Sequence, residues 1–299
     1  MNKIFISTSK KIFEYDLPSK QIKTIFEIKP IFLSFIRKNY KTLFGIDYIE
    51  SKNELIFICR DRLKTKKLSK SSTDAVIYSY CLDTRDVTKL TVIKNIHDAH
   101  QMKYHKGYIF MTDCGLNRII FYNLKSSEYK YLNIGKIRSD INHLNAVMIN
   151  GNRLLIGLNN NGRKCSEIYE YNLDSVLKST DVNIYLEPDI IYTLHDIQHT
   201  HDIHILKSNL VFCDSHEGKV YMLKDLRCIY KIDGWARGLC SNSDELYVGS
   251  SLRSMRSERY TSHLDAKIYK IDLSDGLINL EVVLPNCGQV NDMVLVKKK

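Results

Sequence analysis

The sequence contains no long hydrophobic run. The N-terminal stretch MNKIFISTSKKIFEYDL has no apolar segment long enough for a signal peptide, and no later stretch among the 299 residues is long enough to span a bilayer. These absences disfavour a secreted protein and a protein with membrane-spanning helices. We therefore expect a cytoplasmic protein with no membrane partner.

Paired cysteines and nucleic-acid signatures are also missing. None of the eight cysteines belongs to a CxxC motif, which favours reduced thiols in the cytoplasm over disulfides. The sequence has no RNA-binding signature, helix-turn-helix pattern or zinc-finger spacing. Its net charge of +10 therefore favours a small anionic molecule as partner over a nucleic acid.

Helical periodicity is nearly absent, and strand signals take its place. Only SVLKSTDV, residues 175–182, fits one or two helical turns. Short runs rich in Ile, Val, Tyr and Phe, bounded by Asn, Gly, Ser and Asp, predict strands. These runs recur in groups of four, and the groups cover residues 42–96, 97–135, 143–194, 199–233 and 235–285.

Each group of four strands predicts one blade of a β-propeller. The N-terminal runs KIFISTS, KIFEYDL and IKTIFEI supply three strands of a sixth blade, and GQVNDMVLV at 288–296 supplies its fourth. A blade shared between residues 288–296 and 1–29 closes the ring and removes the two free sheet edges. We predict an all-β, six-bladed propeller that forms one domain over residues 1–299. A seven-bladed ring with one blade miscounted is the alternative.

Histidines cluster at two places in this pattern. The segment HDIQHTHDIH, residues 195–204, contains four of the ten histidines, and HDAH at 97–100 contains two more. Both segments lead into the first strand of a blade, which lines the central channel of a propeller. Alignment of the six first strands places one residue of each at the channel mouth: His100, Asn145, His201, Arg237, Asn291 and, in the second blade, Ile46 with Asp47 beside it.

Imidazole and amide groups that converge on one axis indicate a metal site with nitrogen and oxygen ligands. We predict a divalent metal ion (zinc, manganese, iron or calcium) held by four of the mouth residues: His100, His201, Asn145 and Asn291. Asp98, Asp202 and Asp292 are the predicted partners of these ligands. No cysteine lies at the mouth positions, which disfavours a structural zinc site. The alternative is a polar, water-filled channel without metal.

The same face of the ring contains candidates for catalysis and substrate binding. His204 or His143 is the predicted general base, because imidazole titrates near neutral pH. Arg237 is predicted to bind a carboxylate or phosphate of the substrate. Long basic loops at 60–74, 159–167 and 251–265 overhang this face, unless they are simply solvated. The residues predicted to contact substrate are Arg237, Trp235, Arg253, Arg256 and His97.

Three stretches support a family resemblance: HLNAV at 143–147, HDIHILKSNLVFCDSHEGKVY at 201–221 and WARGLCSNSDELYVGSSLRSMRSE at 235–258. Overall the chain resembles the six-bladed propellers of the gluconolactonase and strictosidine-synthase-like group. Over blades four to six it is closer to an uncharacterised bacterial family of propeller-like proteins with a domain of unknown function. The resemblance covers about two thirds of the chain.

Gluconolactonase-like enzymes hold one divalent metal with a Glu, an Asn and an Asp. The resemblance implies that Asn145, Asn291 and Asp292 take two of these parts, but no glutamate occupies the first-blade position and extra histidines are present. We therefore expect a metal-dependent hydrolase, lyase or epimerase that acts on a small anionic, sugar-like substrate. A non-catalytic propeller that binds a ligand or protein on the face with the basic loops is the alternative.

Overall fold

The computed structural model describes residues 2–28, 39–63, 73–135, 139–255, 258 and 263–297, with the backbone alone for 39–40, 61–63 and 73. The first half of the chain forms β1 (Asn2–Thr8), β2 (Lys11–Asp16), β3 (Ile22–Glu27), β4 (Asn39–Ile49), β5 (Glu54–Leu63), β6 (Thr73–Cys81), β7 (Val87–Ile96), β8 (Ala99–His105), β9 (Tyr108–Asp113), β10 (Arg118–Asn123) and β11 (Tyr129–Asn133).

The second half forms β12 (Leu144–Asn150), β13 (Arg153–Leu158), β14 (Ser166–Asn172), α1 (Leu173–Lys178), β15 (Asn183–Ile184), β16 (Ile190–Leu194), β17 (Thr200–Leu206), β18 (Asn209–Asp214), β19 (Lys219–Met222), β20 (Arg227–Lys231), β21 (Trp235–Ser241), β22 (Glu245–Ser251), β23 (Ala266–Asp272), β24 (Ile278–Leu284) and β25 (Val290–Lys297). The short helix α1 overlaps the predicted helical region at 175–182 but begins two residues before it and ends at Lys178.

The strands form six antiparallel sheets in a ring, and this confirms the predicted propeller. In order from the axis outward, blade 1 is β25-β1-β2-β3, blade 2 is β4-β5-β6-β7, blade 3 is β8-β9-β10-β11, blade 4 is β12-β13-β14-β16, blade 5 is β17-β18-β19-β20 and blade 6 is β21-β22-β23-β24. The short strand β15 adds a parallel fifth strand to the outer edge of blade 3.

The ring is closed by the pairing of the two ends of the chain. Strand β25 lies antiparallel to β1, with Phe5 opposite Val294 and Ile6 opposite Met293. The apolar residues that alternate along each strand fill the gaps between blades, where six separate clusters of buried side chains form the core. Each blade is therefore held by hydrophobic contact with both neighbours, as expected for closed propellers.

Every inner strand has a register shift near its first residues. The shift lies between Leu43 and Ile46 in β4 and between Ala99 and Met102 in β8, and the other four inner strands have theirs at the matching position. A bulge of this kind releases one or two residues from the ladder and changes the direction of their side chains. The mouth of the channel is built from such residues.

The register corrects one sequence alignment. After the bulge, the hydrogen-bonded ladder starts again at Ile46 in β4 and at Met102 in β8. Ile46 is therefore equivalent to Met102, and Phe44, two residues earlier, is equivalent to His100. Ile46 is fully buried between blades 1 and 2, whereas the ring of Phe44 lies 5.3 Å from the ring of His100. The sequence alignment was wrong by two residues because it could not locate the bulge.

Removal of residues 288–299 should open the ring. The truncated chain lacks β25, so the inner edge of β1 loses its hydrogen-bonding partner and becomes a site for intermolecular pairing. We expect aggregation or loss of cooperative unfolding, measured by thermal denaturation with light scattering. Removal of residues 298 and 299 alone is the control. A melting transition unchanged by the longer deletion would rule out closure by β25.

Candidate functional site

The bulges place a layer of polar side chains at the start of the inner strands. We call this the mouth layer, and it consists of His100, Asn145, His201, Arg237 and Asn291 together with Phe44. The crossover loops that precede β8 and β12 contribute Asp98, Asp140 and His143 beside it. The layer lies where each chain segment enters the axis from the outer edge of the preceding blade.

Two histidines and one cysteine meet in the mouth layer. The rings of His100 and His143 are 5.2 Å apart, and a ring nitrogen of each lies with the Cys114 Sγ in a group whose ligand atoms are all within 4.8 Å of one another. Cys114 belongs to the turn between β9 and β10, which reaches the same face. Its thiol donates to the Leu144 carbonyl at 2.6 Å, and burial raises its pKa well above the ordinary value.

Carboxylates stand next to both histidines. The His143 Nδ1 lies 2.9 Å from the Asp140 Oδ1, and the His100 Nε2 lies 3.4 Å from the Asp98 Oδ1. Among the described residues, that Nε2 atom is buried without a hydrogen-bond partner. Burial lowers the pKa of His100 to about 4, although the nearby Asp98 carboxylate opposes the shift. The ring is therefore neutral at physiological pH and can offer a lone pair.

His201 joins the mouth layer from blade 5. Its Nε2 is 3.3 Å from the Asn145 Nδ2, and because an amide nitrogen only donates, Nε2 accepts and Nδ1 carries the proton. Burial lowers the pKa of His201 well below its ordinary value, and the charges of Arg237, His100, His143 and His199 lower it further. The imidazole is therefore neutral at physiological pH.

The two asparagines of the mouth layer tie neighbouring blades together. The Asn145 amide donates to the Thr200 carbonyl of blade 5 at 3.2 Å, and the Asn291 amide donates to the Leu43 carbonyl of blade 2 at 2.7 Å. The Asn145 Oδ1 is buried and has no hydrogen-bond partner among the described residues. Asn145 therefore retains an oxygen that could face a ligand, while its nitrogen has a structural partner.

Below the mouth layer, three polar side chains fill the axis. We call Gln101, Asp202 and Asp292 the plug. They come from alternate blades, and the Gln101 Nε2 lies 2.8 Å from the Asp202 Oδ1 and 3.5 Å from the Asp292 Oδ1. All three are at most 5% exposed. Small residues alternate with them in the other blades, namely Gly45, Ala146 and Gly238.

Each member of the plug also accepts a backbone N–H from the next blade. The donors are Val147 to the Gln101 Oε1 at 2.8 Å, Leu239 to the Asp202 Oδ2 at 2.6 Å and Ile46 to the Asp292 Oδ2 at 3.2 Å. Large and small residues alternate around the axis because the space there is limited. At Gly45, for example, an added Cβ would lie 2.4 Å from the Met102 nitrogen. The carboxylate of Asp202 thus holds blades 5 and 6 together instead of orienting the His201 ring, and Asp292 has the same role between blades 1 and 2.

A second group of polar side chains lies beneath the plug, around Lys103. Its Nζ is 3.6 Å from the Asp292 Oδ2. Burial alone would lower the pKa of Lys103, but the carboxylates of Asp292, Asp47 and Asp202 raise it overall. His204 belongs to this group; its Nε2 pairs with the Ser241 Oγ at 2.8 Å, and burial lowers its pKa to about 4. His204 thus lies further along β17 than the plug residue Asp202, and its role as one of two alternative general bases stays a prediction.

Arg237 is the cation of the mouth layer. Its Nε lies 3.2 Å from the Ser215 Oγ and its Nη1 lies 3.2 Å from the Gln289 Oε1, so neutral oxygens of two blades orient the guanidinium. The Trp235 ring lies 5.8 Å from it and is only 7% exposed. Trp235 therefore supports Arg237 from the core and has little surface left for a substrate. The predicted anion-binding role of Arg237 stays a prediction.

The other residues predicted to contact substrate, and the basic loop at 60–74, lie in different environments. The backbone N–H of His97 donates to the Asp113 Oδ1 at 2.7 Å, and Arg253 is exposed at the end of blade 6. Arg256 and most of the basic loop at 60–74 lie outside the described residues. Arg60, the first residue of that predicted loop, is buried in β5: it forms an ion pair with Asp98 and donates to the Ala99 carbonyl at 2.8 Å.

The sequence analysis missed Cys114, Asp140 and the plug residue Gln101. Cys114 lies in the loop between a second and a third strand, which the propeller topology already assigns to the histidine face. A search of those loops for ligand residues would have found it. Gln101 follows His100 directly, but its role depends on the bulge, which no sequence signal marked.

The fold and site define a six-bladed β-propeller with a cluster of histidines at one end of an axis filled by polar side chains. A crystal structure of a nidogen/laminin complex contains a similar chain, with 11% identity, a TM-score of 0.67 and coverage of 99% of this chain and 98% of that one. A crystal structure of a mitotic checkpoint complex contains another, with 9% identity, a TM-score of 0.51 and coverage of 97% and 79%. Identities this low support the fold alone.

No family model and no curated protein matches the chain, so the resemblance to the gluconolactonase-like group stays a prediction. Within the part of the chain that the structure describes, none of the helices has the length and apolar character needed to cross a membrane.

Asp292→Asn should change how stability depends on pH. Burial raises the pKa of Asp292 to about 7, with Asp202 adding to the shift and Lys103 opposing it. The unfolded value is about 3.9, so the contribution of this group is fully present below about pH 4 and is lost as the pH rises through about 7. The amide keeps an acceptor for the Ile46 N–H but cannot ionise.

We expect the free energy of unfolding of the variant to rise relative to that of wild type between about pH 5 and about pH 8, measured by urea denaturation. Asp225→Asn, at a half-exposed carboxylate, is the control. Parallel pH profiles for Asp292→Asn and wild type would contradict the raised pKa.

Proposed function

We propose that the protein is a metal-dependent enzyme with a single transition-metal site in the mouth layer. The observation that carries this proposal is the convergence of His100, His143 and Cys114, whose ligand atoms lie within 4.8 Å of one another. Tetrahedral zinc with bond lengths of about 2.0 to 2.3 Å separates its ligands by about 3.3 to 3.8 Å. A movement of about 1 Å by these side chains would therefore complete the three-ligand set.

The chemistry of the donors favours zinc over calcium. Imidazole nitrogen and thiolate sulfur are ligands of zinc and related transition metals, whereas calcium requires six or more oxygens. The Cys114 thiol is protonated in the free protein because burial raises its pKa, and a coordinated ion would displace that proton. Asp140 beside the His143 Nδ1 supplies the carboxylate that metal-bound histidines commonly use for orientation. His201, Asn145 and Asn291 belong to the mouth layer but lie outside this set.

The remaining mouth residues suit an anionic substrate. When bound, such an ion supplies Lewis-acid activation of an oxygen of water or substrate. His201, with its proton on Nδ1 as deduced from the Asn145 contact, can donate a hydrogen bond to a substrate oxygen. Arg237 offers a guanidinium for a carboxylate or phosphate. Because the plug closes the axis below, substrate would enter and leave from the mouth. Hydrolysis, elimination and epimerisation all fit this arrangement.

A non-catalytic role in protein binding is the second candidate. The two similar structures both come from protein complexes, and on the face of the mouth layer Met255 is 73% exposed and Leu252 is 45% exposed. Apolar side chains of this size at a rim can contact a partner. Metal content separates the two candidates, because a partner-binding surface needs no ion in the mouth layer.

Metal retention tests the proposed site. Protein prepared without chelator should contain about one zinc per chain, and the double variant His100→Ala/His143→Ala should contain none, because two of three ligands are lost. His201→Ala should retain the metal. The measurement is elemental analysis, and His105→Ala, in the hairpin at the opposite end of β8, is the matched control.

Cobalt provides a direct readout of the sulfur ligand. Cobalt-substituted wild type should show a thiolate-to-cobalt charge-transfer band, and Cys114→Ser should lack it while keeping the fold. Wild-type protein that takes up no stoichiometric zinc or cobalt would refute the metal proposal and favour the partner-binding candidate.

A further inference from the structure

A second group of imidazoles lies beside the mouth layer, on blade 5. The rings of His199 and His216 are 5.0 Å apart. His199 precedes β17 in the crossover segment, and His216 lies in the turn between β18 and β19. The Ser215 N–H donates to the His199 carbonyl at 2.9 Å, so the turn and the crossover are fixed against each other. None of the predicted metal ligands is in this group.

Arg237 connects this pair to the mouth layer. Its Nε lies 3.2 Å from the Oγ of Ser215, the residue next to His216. The charges of both His216 and Arg237 help to lower the pKa of His199 after the larger effect of burial. His199 and Arg237 also act on His201, together with His100 and His143. Arg237 therefore belongs to the mouth layer and also contacts the turn that contains His216.

The charged groups around the pair favour an anion. The cations are Arg237, Arg253 and Lys219, and the acids are Asp214 and Glu217. Glu217 lies 3.8 Å from Lys219 and 3.4 Å from the His216 Nδ1, so its carboxylate is shared between two basic groups. Asp214 is buried, and burial raises its pKa. Two neighbouring imidazoles also repel each other when protonated, and an anion that accepts from both would remove that repulsion.

A cleft lies on blade 6, the next blade along the chain. It has a volume of about 240 Å³ and is lined by Ser250, Ser251, Arg253, Asp265 and Lys267 among others. Two of these residues, Arg253 and Lys267, are basic.

We propose that His199, His216 and Arg237 form the subsite for a tetrahedral oxyanion, which makes the substrate a phosphate ester. The two imidazole rings are 5.0 Å apart, and the Arg237 guanidinium is held next to them by its Nε contact with the Oγ of Ser215, the residue before His216. A tetrahedral dianion can accept from all of them at once, whereas a planar carboxylate can satisfy fewer. This inference rests on the proposed function, because it assigns the anionic group of that substrate.

Binding of inorganic sulfate, an unreactive mimic of the phosphate group, tests the subsite. The protein is first stripped with chelator, so the result does not depend on the metal. We expect saturable sulfate binding by calorimetry, with shifts of the His199 and His216 imidazole signals in NMR spectra. His199→Gln/His216→Gln should weaken sulfate binding about tenfold, the effect of losing a charge-assisted hydrogen bond.

Two further measurements make the outcome decisive. The single variant His216→Gln, at an exposed side chain, should also weaken binding and guards against misfolding of the double variant. His105→Gln, on the opposite face, should bind sulfate as wild type does, and acetate should bind more weakly than sulfate. Unchanged sulfate affinity in both His variants, or equal affinity for acetate, would overturn the proposal. Zinc content measured on the unstripped samples reports separately on the metal site.

Discussion

The backbone groups of the inner strands set the constraint on which this propeller depends. Each inner strand bulges where it enters the axis, and the freed N–H and C=O groups are buried between blades, where an unmade hydrogen bond is costly. Side chains of the preceding blade satisfy them: the plug accepts from Val147, Leu239 and Ile46, and Cys114, Asn145 and Asn291 donate to the carbonyls of Leu144, Thr200 and Leu43. Polar residues at the axis therefore connect blades before they do anything else.

This constraint separates two groups of polar side chains along the axis. Gln101, Asp202 and Asp292 reach the next blade, and at the axis the Gln101 amide also contacts both carboxylates. Above them lie the neutral imidazoles of His100 and His201, and below them Lys103 balances the carboxylates of three blades. His204 and His201 are close in sequence but belong to different groups, so chain proximity is a poor guide to chemical partnership here.

The fold by itself does not assign a function, since propellers support many unrelated activities. The proposed enzymatic role depends on the side chains: two imidazoles and a thiol that converge, carboxylates beside both imidazoles, and Arg237 held by neutral oxygens. Cys114 has a structural contact and a proposed role as a metal ligand. The residue that donates to the Leu144 carbonyl is the same one that would hold a metal, so metal binding would alter a contact between blades 3 and 4.

The sequence by itself determined the ring. Strand periodicity, turn residues and the unmatched segment GQVNDMVLV fixed six blades and their closure, because the alternation of apolar residues reflects burial on every strand. It also identified His100, Asn145, His201, Arg237 and Asn291 as mouth residues. Only the tertiary structure decided which of them can act together. In blade 2 the bulge places Phe44, and not Ile46, at the mouth. Asp202 accepts a backbone N–H of the next blade, and Cys114 meets His100 and His143. These outcomes depend on contacts between blades that no single strand encodes.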